Sequence, residues 1–201
     1  MNESEVDVLN DIEIVLIDNI HYKVERKIQT FFFLTLDLPK TPLFKDSTEK
    51  INIPQISILT LFKKYDGVTF TEDPIKGIKR RYHLIKLPPN LILYFKRFEK
   101  NQFFVEKNNT IINFPIKNLE LKGILRIILE FCNENTVNKE LNYNLVANLI
   151  HDGKPGAGLF RVQAKHKLLD SWFDIQDLHV NKIMAQLVAV SESYIHFYES
   201  S

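Results

Sequence analysis

Cysteine occurs once in the 201 residues, as Cys132, so the chain can build neither an internal disulfide framework nor a multi-cysteine zinc site. Glycine occurs six times, which argues against a fold organised around a phosphate-cradling loop. No charge sign dominates: Lys plus Arg is 26, Asp plus Glu is 25, and the formal net charge is +1. A dedicated nucleic-acid-binding domain usually carries a clear basic excess. No apolar run approaches the roughly 18–20 residues of a membrane span. The N-terminus carries Glu3, Glu5, Asp7, Asp11, Glu13 and Asp18 with no Lys or Arg among them, the opposite of a signal peptide's basic start. These absences leave a soluble protein of a reducing compartment, with no membrane association and a solvated, partly frayed acidic terminus. What is present is an ordinary globular composition, 45% hydrophobic and 25% charged, with fifteen Phe and seven Tyr. That suits one domain with a sizeable core.

Short apolar runs alternate with turn signals. The pattern predicts strands over 12–17, 20–24 and 30–36, rich in β-branched and aromatic residues, and further strands over 80–86, 91–98, 103–106, 143–151, 159–166, 172–175 and 193–198. A helix is predicted over 55–65, with Pro54 at its start, Ile56, Leu59 and Phe62 on one stripe, and Asp66-Gly67 as its stop. Two more are predicted over 121–131, where Gly123 weakens the pattern, and over 181–188. In the closing strand Tyr194 and His196 fall on one face, Ile195 and Phe197 on the other. The result is a strand-rich α+β chain without the regular alternation of a parallel sheet.

Leu87-Pro88-Pro89-Asn90-Leu91-Ile92-Leu93-Tyr94-Phe95-Lys96-Arg97-Phe98 resembles the Leu-Pro-x-x-Leu-x-x-x-x-Lys-Arg-Phe signature of ubiquitin-specific proteases. Residues 143–153 are similar to the strand entering that family's histidine box, Trp172 to Val180 to its Trp-containing acidic box, and Ser193 to Tyr198 to its terminal strand. Four motifs in family order imply a papain-like ubiquitin-specific-protease fold. The fingers and palm would be present and the front, or thumb, part missing. The resemblance sharpens at Phe33–Pro39, Ile53–Gln55, Asn101–Asn108, Ile112–Ile116 and His151–Pro155, which look like the tri-snRNP-associated pseudo-peptidase branch, a splicing-factor branch. On this reading residues 1–29 are an N-terminal segment of partly ordered strands, 30–198 the C-terminal part of the protease-like domain, and 199–201 a tail. The missing front region normally packs against the sheet, so an exposed apolar face or self-association is expected.

A thiol protease needs a Cys nucleophile, a His to take its proton and an Asp or Asn to orient that His. The family's Cys box precedes the Leu-Pro signature, whereas Cys132 follows it without the Gly-Asn-x-Cys context, so it reads as a small buried apolar residue. The family's Gly-His-Tyr register reads Gly158-Leu159-Phe160 here. Leucine has no lone pair and cannot accept a proton. The orienting acid falls at Gln176, with Asp177 next to it. His151, seven residues before Gly158, is the tempting substitute, but the family carries a His there besides the catalytic one. No cofactor is implied. Metal is not expected either, because His21, His83, His151, His166, His179 and His196 are scattered and the region between Asp66 and Arg80 lacks the fingers' cysteines. The loop 152–158, with three glycines, reads as a hairpin connection.

Lys76, Lys79, Arg80 and Arg81 form the densest basic cluster, with Lys96, Arg97, Lys100 and Lys107 as a second group expected to share its edge of the fingers. Of these, Lys79, Arg80, Arg81, Lys96 and Arg97, together with Phe103, are the candidate partner-binding residues. The resemblance implies a non-catalytic nuclear scaffold of the spliceosomal tri-snRNP, contacting its proteins in pre-mRNA splicing. Direct RNA contact is the weaker reading, and residual ubiquitin binding stays open. The alternative is an active deubiquitinase whose nucleophile lies outside this chain, and Leu159 discriminates between the two.

Overall fold

The structure, a computed structural model, describes residues 13–17, 20–40, 53–73, 77–84, 86–100, 103–121 and 142–201. The helix predicted over 121–131, along with Cys132, lies outside the described residues apart from Leu121. The chain divides into two compact units, residues 1–32 and 33–201. In the first, β1 (Glu13–Ile17) and β2 (Ile20–Val24) pair antiparallel, with Ile17 opposite Ile20.

The second unit begins with β3 (Leu34–Asp37), β4 (Gln55–Ser57), α1 (Ile58–Leu61) and a 3-10 turn (Phe62–Tyr65), followed by β5 (Asp66–Asp73) and β6 (Ile78–His83). Then come β7 (Asn90–Lys96), β8 (Phe98–Lys100), β9 (Val105–Lys107), β10 (Ile111–Asn113) and β11 (Leu119–Glu120). The chain closes with β12 (Asn142–Asp152), β13 (Leu159–His166), β14 (Ser171–Gln176), β15 (His179–Ile183), α2 (Ala185–Ala189) and β16 (Ser193–Ser200). An eight-stranded sheet runs β15-β14-β13-β12-β16-β7-β3, with β11 paired to β12 off that path. Each of these junctions is antiparallel except β3 against β7.

Several boundaries differ from the sequence pattern. The strand expected over 30–36 forms only from Leu34, where buried Leu34 and Leu36 alternate with Thr35 and Asp37 against β7. The helix expected over 55–65 splits. Gln55–Ser57 is pulled into parallel pairing with β10, and Ser57 then caps α1 by accepting from the Leu59 N–H at 3.3 Å. Asp66-Gly67 does stop the helical run, but the chain continues as a long strand rather than a loop. Asp66 holds the Val68 and Thr69 amides at 2.7 and 2.6 Å and launches the chain into β5. Leu84 and Lys86, expected in a strand, lie beyond the end of β6 at His83. The helix expected over 181–188 is displaced: Asn181, Lys182 and Ile183 pair with β14, and only Ala185–Ala189 is helical. At Gln55–Ser57 and Asn181–Ile183, pairing partners supplied by the rest of the chain outweigh local propensity. Glu199 and Ser200, read as tail, belong to β16.

The core lies on one face of the sheet. Leu91, Leu93 and Phe95 of β7, Tyr198 of β16 and Trp172 of β14 pack with Ile58, Phe62, Ile112, Leu119 and Val188. His196 is enclosed there, edge-on to Phe95 at 4.7 Å and Phe114 at 4.3 Å, and neither ring nitrogen has a hydrogen-bond partner. Burial, then the Arg97 charge, pulls its imidazole down to about 3. The folded chain therefore refuses a proton that the unfolded chain accepts below about pH 6.5. Stability is expected to be full above that pH and to decline towards pH 3, by at most ~1.4 kcal/mol per pH unit for this group. Urea midpoints at pH 7, 5.5 and 4.5 check it: His196→Phe should flatten the decline, and an unchanged slope would refute the assignment.

The opposite face is apolar but less covered. Tyr94, Ile195, Leu149, Val162, Ile175 and Val180 stand side by side across six strands. A second row runs Ile92, Phe197, Ala147, Ala164 and Phe173. Val180 at the sheet's edge is 59% exposed.

Candidate functional site

β12 ends at Asp152, and the chain turns through Gly153, at φ +96°, and Gly156, at φ +76°, before β13 starts at Leu159. The two strands pair in register to their ends, Asp152 opposite Leu159 and His151 opposite Phe160. This loop borders a cleft of about 390 Å³ lined by Asp152, Gly153, Ala157, Leu159, Arg161 and Gln176. The two positions singled out from the motif register, Leu159 and Gln176, thus meet across one cleft. Leu159 presents its isobutyl group at 64% exposure, and Gln176 is exposed at the end of β14.

His151 is not among the residues lining that cleft. It is 4% exposed, its ring edge-on to Phe98 at 5.0 Å and to Phe160 at 4.9 Å, and its Nδ1 has no partner. Burial, with the Lys107 charge second, holds it below the usual histidine range. Its Nε2 lies 2.2 Å from where a Cβ on Gly158 would stand. The imidazole supports the loop from beneath.

Arg161, two residues after Leu159 and therefore on the same strand face, carries no signal in the motif register. It donates from Nε to Asp152 at 2.5 Å and from Nη1 to Asp174. Burial alone would lower its pKa, but the hydrogen bonds and charges of the two aspartates raise it. Asp152 and Arg161 are the ionisable side chains among the lining residues, and they are engaged with each other. Among the described residues lining the cleft, no free base stands beside the leucine. The signal for Arg161 is long-range: only the β13–β14 register, with Gln163 opposite Asp174, brings that carboxylate alongside.

On the other side of the loop Lys107 acts as a pin. Its Nζ donates to the carbonyls of His151 at 2.6 Å and Gly153 at 3.4 Å, and pairs with Glu192 at 2.6 Å. A second cleft of about 280 Å³ lies there, bordered by Phe104, Val105, Lys107, Lys154 and Pro155. Phe103, at the turn between β8 and β9, is 90% exposed and Phe104 59%.

The remaining candidate binding residues divide. Arg80, Arg81 and Lys96 are exposed, and Lys79 is half-buried. Arg97 is a correction: it is fully buried, donating from Nε to the Ser193 carbonyl at 2.5 Å and from Nη1 to those of Asn108 and Thr110 at 2.8 and 2.9 Å. A guanidinium held by three core carbonyls is unavailable to a partner. The shared edge expected of the two basic groups does not arise from strand pairing, because β5–β6, β8–β9 and β7 belong to different sheets. Among the described residues no three His, Cys, Asp or Glu side chains converge as metal ligands would.

The chain belongs to the family described as ubiquitin carboxyl-terminal hydrolase, whose model matches residues 7–198. Human "Ubiquitin carboxyl-terminal hydrolase 39" is 41% identical over 186 residues, covering 92% of this chain and 32% of that protein. "Probable mRNA-splicing protein ubp10" of Schizosaccharomyces pombe is 36% identical, covering 92% of this chain and 37% of that protein. Among solved structures, an essential yeast splicing factor superposes with a TM-score of 0.59 at 25% identity, over 85% of this chain and 36% of that one. The chain thus spans about a third of the length of the curated relatives it matches.

Proposed function

We propose that the chain is the palm-and-fingers part of a non-catalytic ubiquitin-hydrolase-like scaffold acting in pre-mRNA splicing, in the nucleus, through contacts with tri-snRNP proteins. The loss of catalysis rests on the motif register, which aligns Leu159 with the family's histidine and Gln176 with its acid; both side chains line the one cleft, which supports that reading. General-base catalysis needs a titratable lone pair within hydrogen-bond reach of the nucleophile. An alkyl group supplies none, and Arg161 engages the carboxylates of Asp152 and Asp174. Names of relatives that are splicing proteins support the cellular role. Exposed Phe103, beside Phe104 of the second cleft, and exposed Lys96 at the end of β7 are proposed contact residues, with Arg80 and Arg81 on the β5–β6 ribbon.

The test is to treat the full-length protein with a ubiquitin-based thiol-reactive probe and identify what co-purifies with it. No labelling together with recovery of tri-snRNP proteins is expected. Labelling, with hydrolysis of a ubiquitin conjugate, would establish the active deubiquitinase instead.

A further inference from the structure

The ribbon β5–β6 is a two-stranded sheet, so among the described residues β6 has one backbone edge without a strand partner. An open edge of unpaired N–H and C=O groups is a template for another strand. The two strands differ in charge: Asp66, Glu72 and Asp73 lie on β5, while Lys79, Arg80 and Arg81 lie on β6. Lys79 faces Glu72 across the ribbon, but Arg80 faces Thr71 and Arg81 faces Phe70. The Arg81 guanidinium lies over the Phe70 ring at 5.5 Å.

These two arginines are distinctive. Arg97 is consumed by core carbonyls and Arg161 by two aspartates, whereas Arg80 and Arg81 are exposed and form no ion pair among the described residues. Because they are consecutive on a strand, their side chains leave opposite faces of the ribbon. Ile78 and Tyr82 flank Arg80 on its face, 42% and 36% exposed.

We propose that the free edge of β6 takes up an extended acidic segment of a partner protein as a third, antiparallel strand. Two consecutive acidic residues would reach Arg80 and Arg81 on the two faces, and apolar residues beside them would cover Ile78 and Tyr82. Main-chain hydrogen bonds supply affinity in this mode and alternate side chains supply specificity. A protein strand fits better than RNA, because it satisfies the edge's amides and carbonyls and because the chain's net charge is only +1. The inference rests on the scaffold reading and supplies the chemistry of one partner.

The test uses the 201-residue chain and a fluorescein-labelled peptide, Thr-Val-Asp-Glu-Thr-Val-Thr. Fluorescence anisotropy should show binding that weakens about tenfold or more when Asp-Glu becomes Asn-Gln, or when the chain carries Arg80→Gln and Arg81→Gln. Lys182→Gln, on exposed β15, should leave it unchanged. Amide hydrogen exchange along β6 should slow on binding, which a purely ionic surface contact would not produce. Equal affinity for the charge-neutral peptide, no slowing along β6, or tighter binding of a seven-nucleotide oligouridylate would each overturn the proposal. Probe labelling of the full-length protein would sink the scaffold reading without touching the peptide titration, so the two failures are separable.

Discussion

Arg97→Met is expected to destabilise the chain by roughly 3–5 kcal/mol, a large part of a domain's usual margin. The substitution keeps most of the aliphatic stem but removes the donors for the carbonyls of Ser193, Asn108 and Thr110. Each buried acceptor left without a partner costs about 1–3 kcal/mol. Burial already strains the charge, pulling the guanidinium down to about 10 despite Glu192, so the native geometry carries a desolvation cost that the three bonds and the Glu192 charge offset. Arg97→Lys should recover part of the loss, since an ammonium cannot reproduce the fork. Lys96→Met, one residue earlier and exposed, should change stability by less than about 0.5 kcal/mol. Urea midpoints at constant m-value separate these outcomes. A loss under about 1 kcal/mol for Arg97→Met would mean that the three carbonyls find other donors.

The second large effect is expected at Gly158. An alanine Cβ there would stand 2.2 Å from His151 Nε2, 2.3 Å from its Cε1 and 2.5 Å from the Asp152 carbonyl oxygen. The ring cannot retreat, being wedged between Phe98 and Phe160, and the carbonyl is backbone. Gly158→Ala should therefore cost about 3 kcal/mol and open the β12–β13 turn. Gly156→Ala is the control: its φ is +76° but nothing lies within 4 Å, so only the left-handed conformation is penalised, by about 1 kcal/mol. If the clash is the cause, adding His151→Ala to Gly158→Ala should restore part of the stability lost by the single glycine variant. Strict additivity of the two losses would show that the ring is not what Gly158 accommodates.

How much of this is legible in the sequence depends on range. Leu159–His166 is readable to the residue, because the alternation of Phe160, Val162 and Ala164 with Arg161, Gln163 and Lys165 is local and Gly158 marks its start. Motif register singles out Leu159 and Gln176, and both line one cleft. Gln55–Ser57 and Asn181–Ile183 are not, because their strand character comes from pairing with β10 and β14 rather than from their own residues. Arg97 misleads for a physical reason. A basic pair at a strand end ordinarily reaches solvent, and only the convergence of carbonyls from residues 108, 110 and 193 gives one of the pair a buried site. Arg161 is silent because its meaning lies in Asp174, thirteen residues away and on the next strand.

The order of the sheet has a further consequence for how the protein comes into being. β7 and β12 are bridged by β16, which pairs with both and is synthesised after every other strand of the sheet. The half made of β3 and β7 and the half made of β12 to β15 must therefore wait as separate pieces until Ser193–Ser200 arrives to stitch them. Ser193 also brings the carbonyl that Arg97 needs, so the arginine stays hydrated until that residue has left the ribosome. Contacts of such long sequence separation form slowly. A nascent chain halted before residue 193 would display two unfinished sheet edges, the kind of intermediate that chaperones hold.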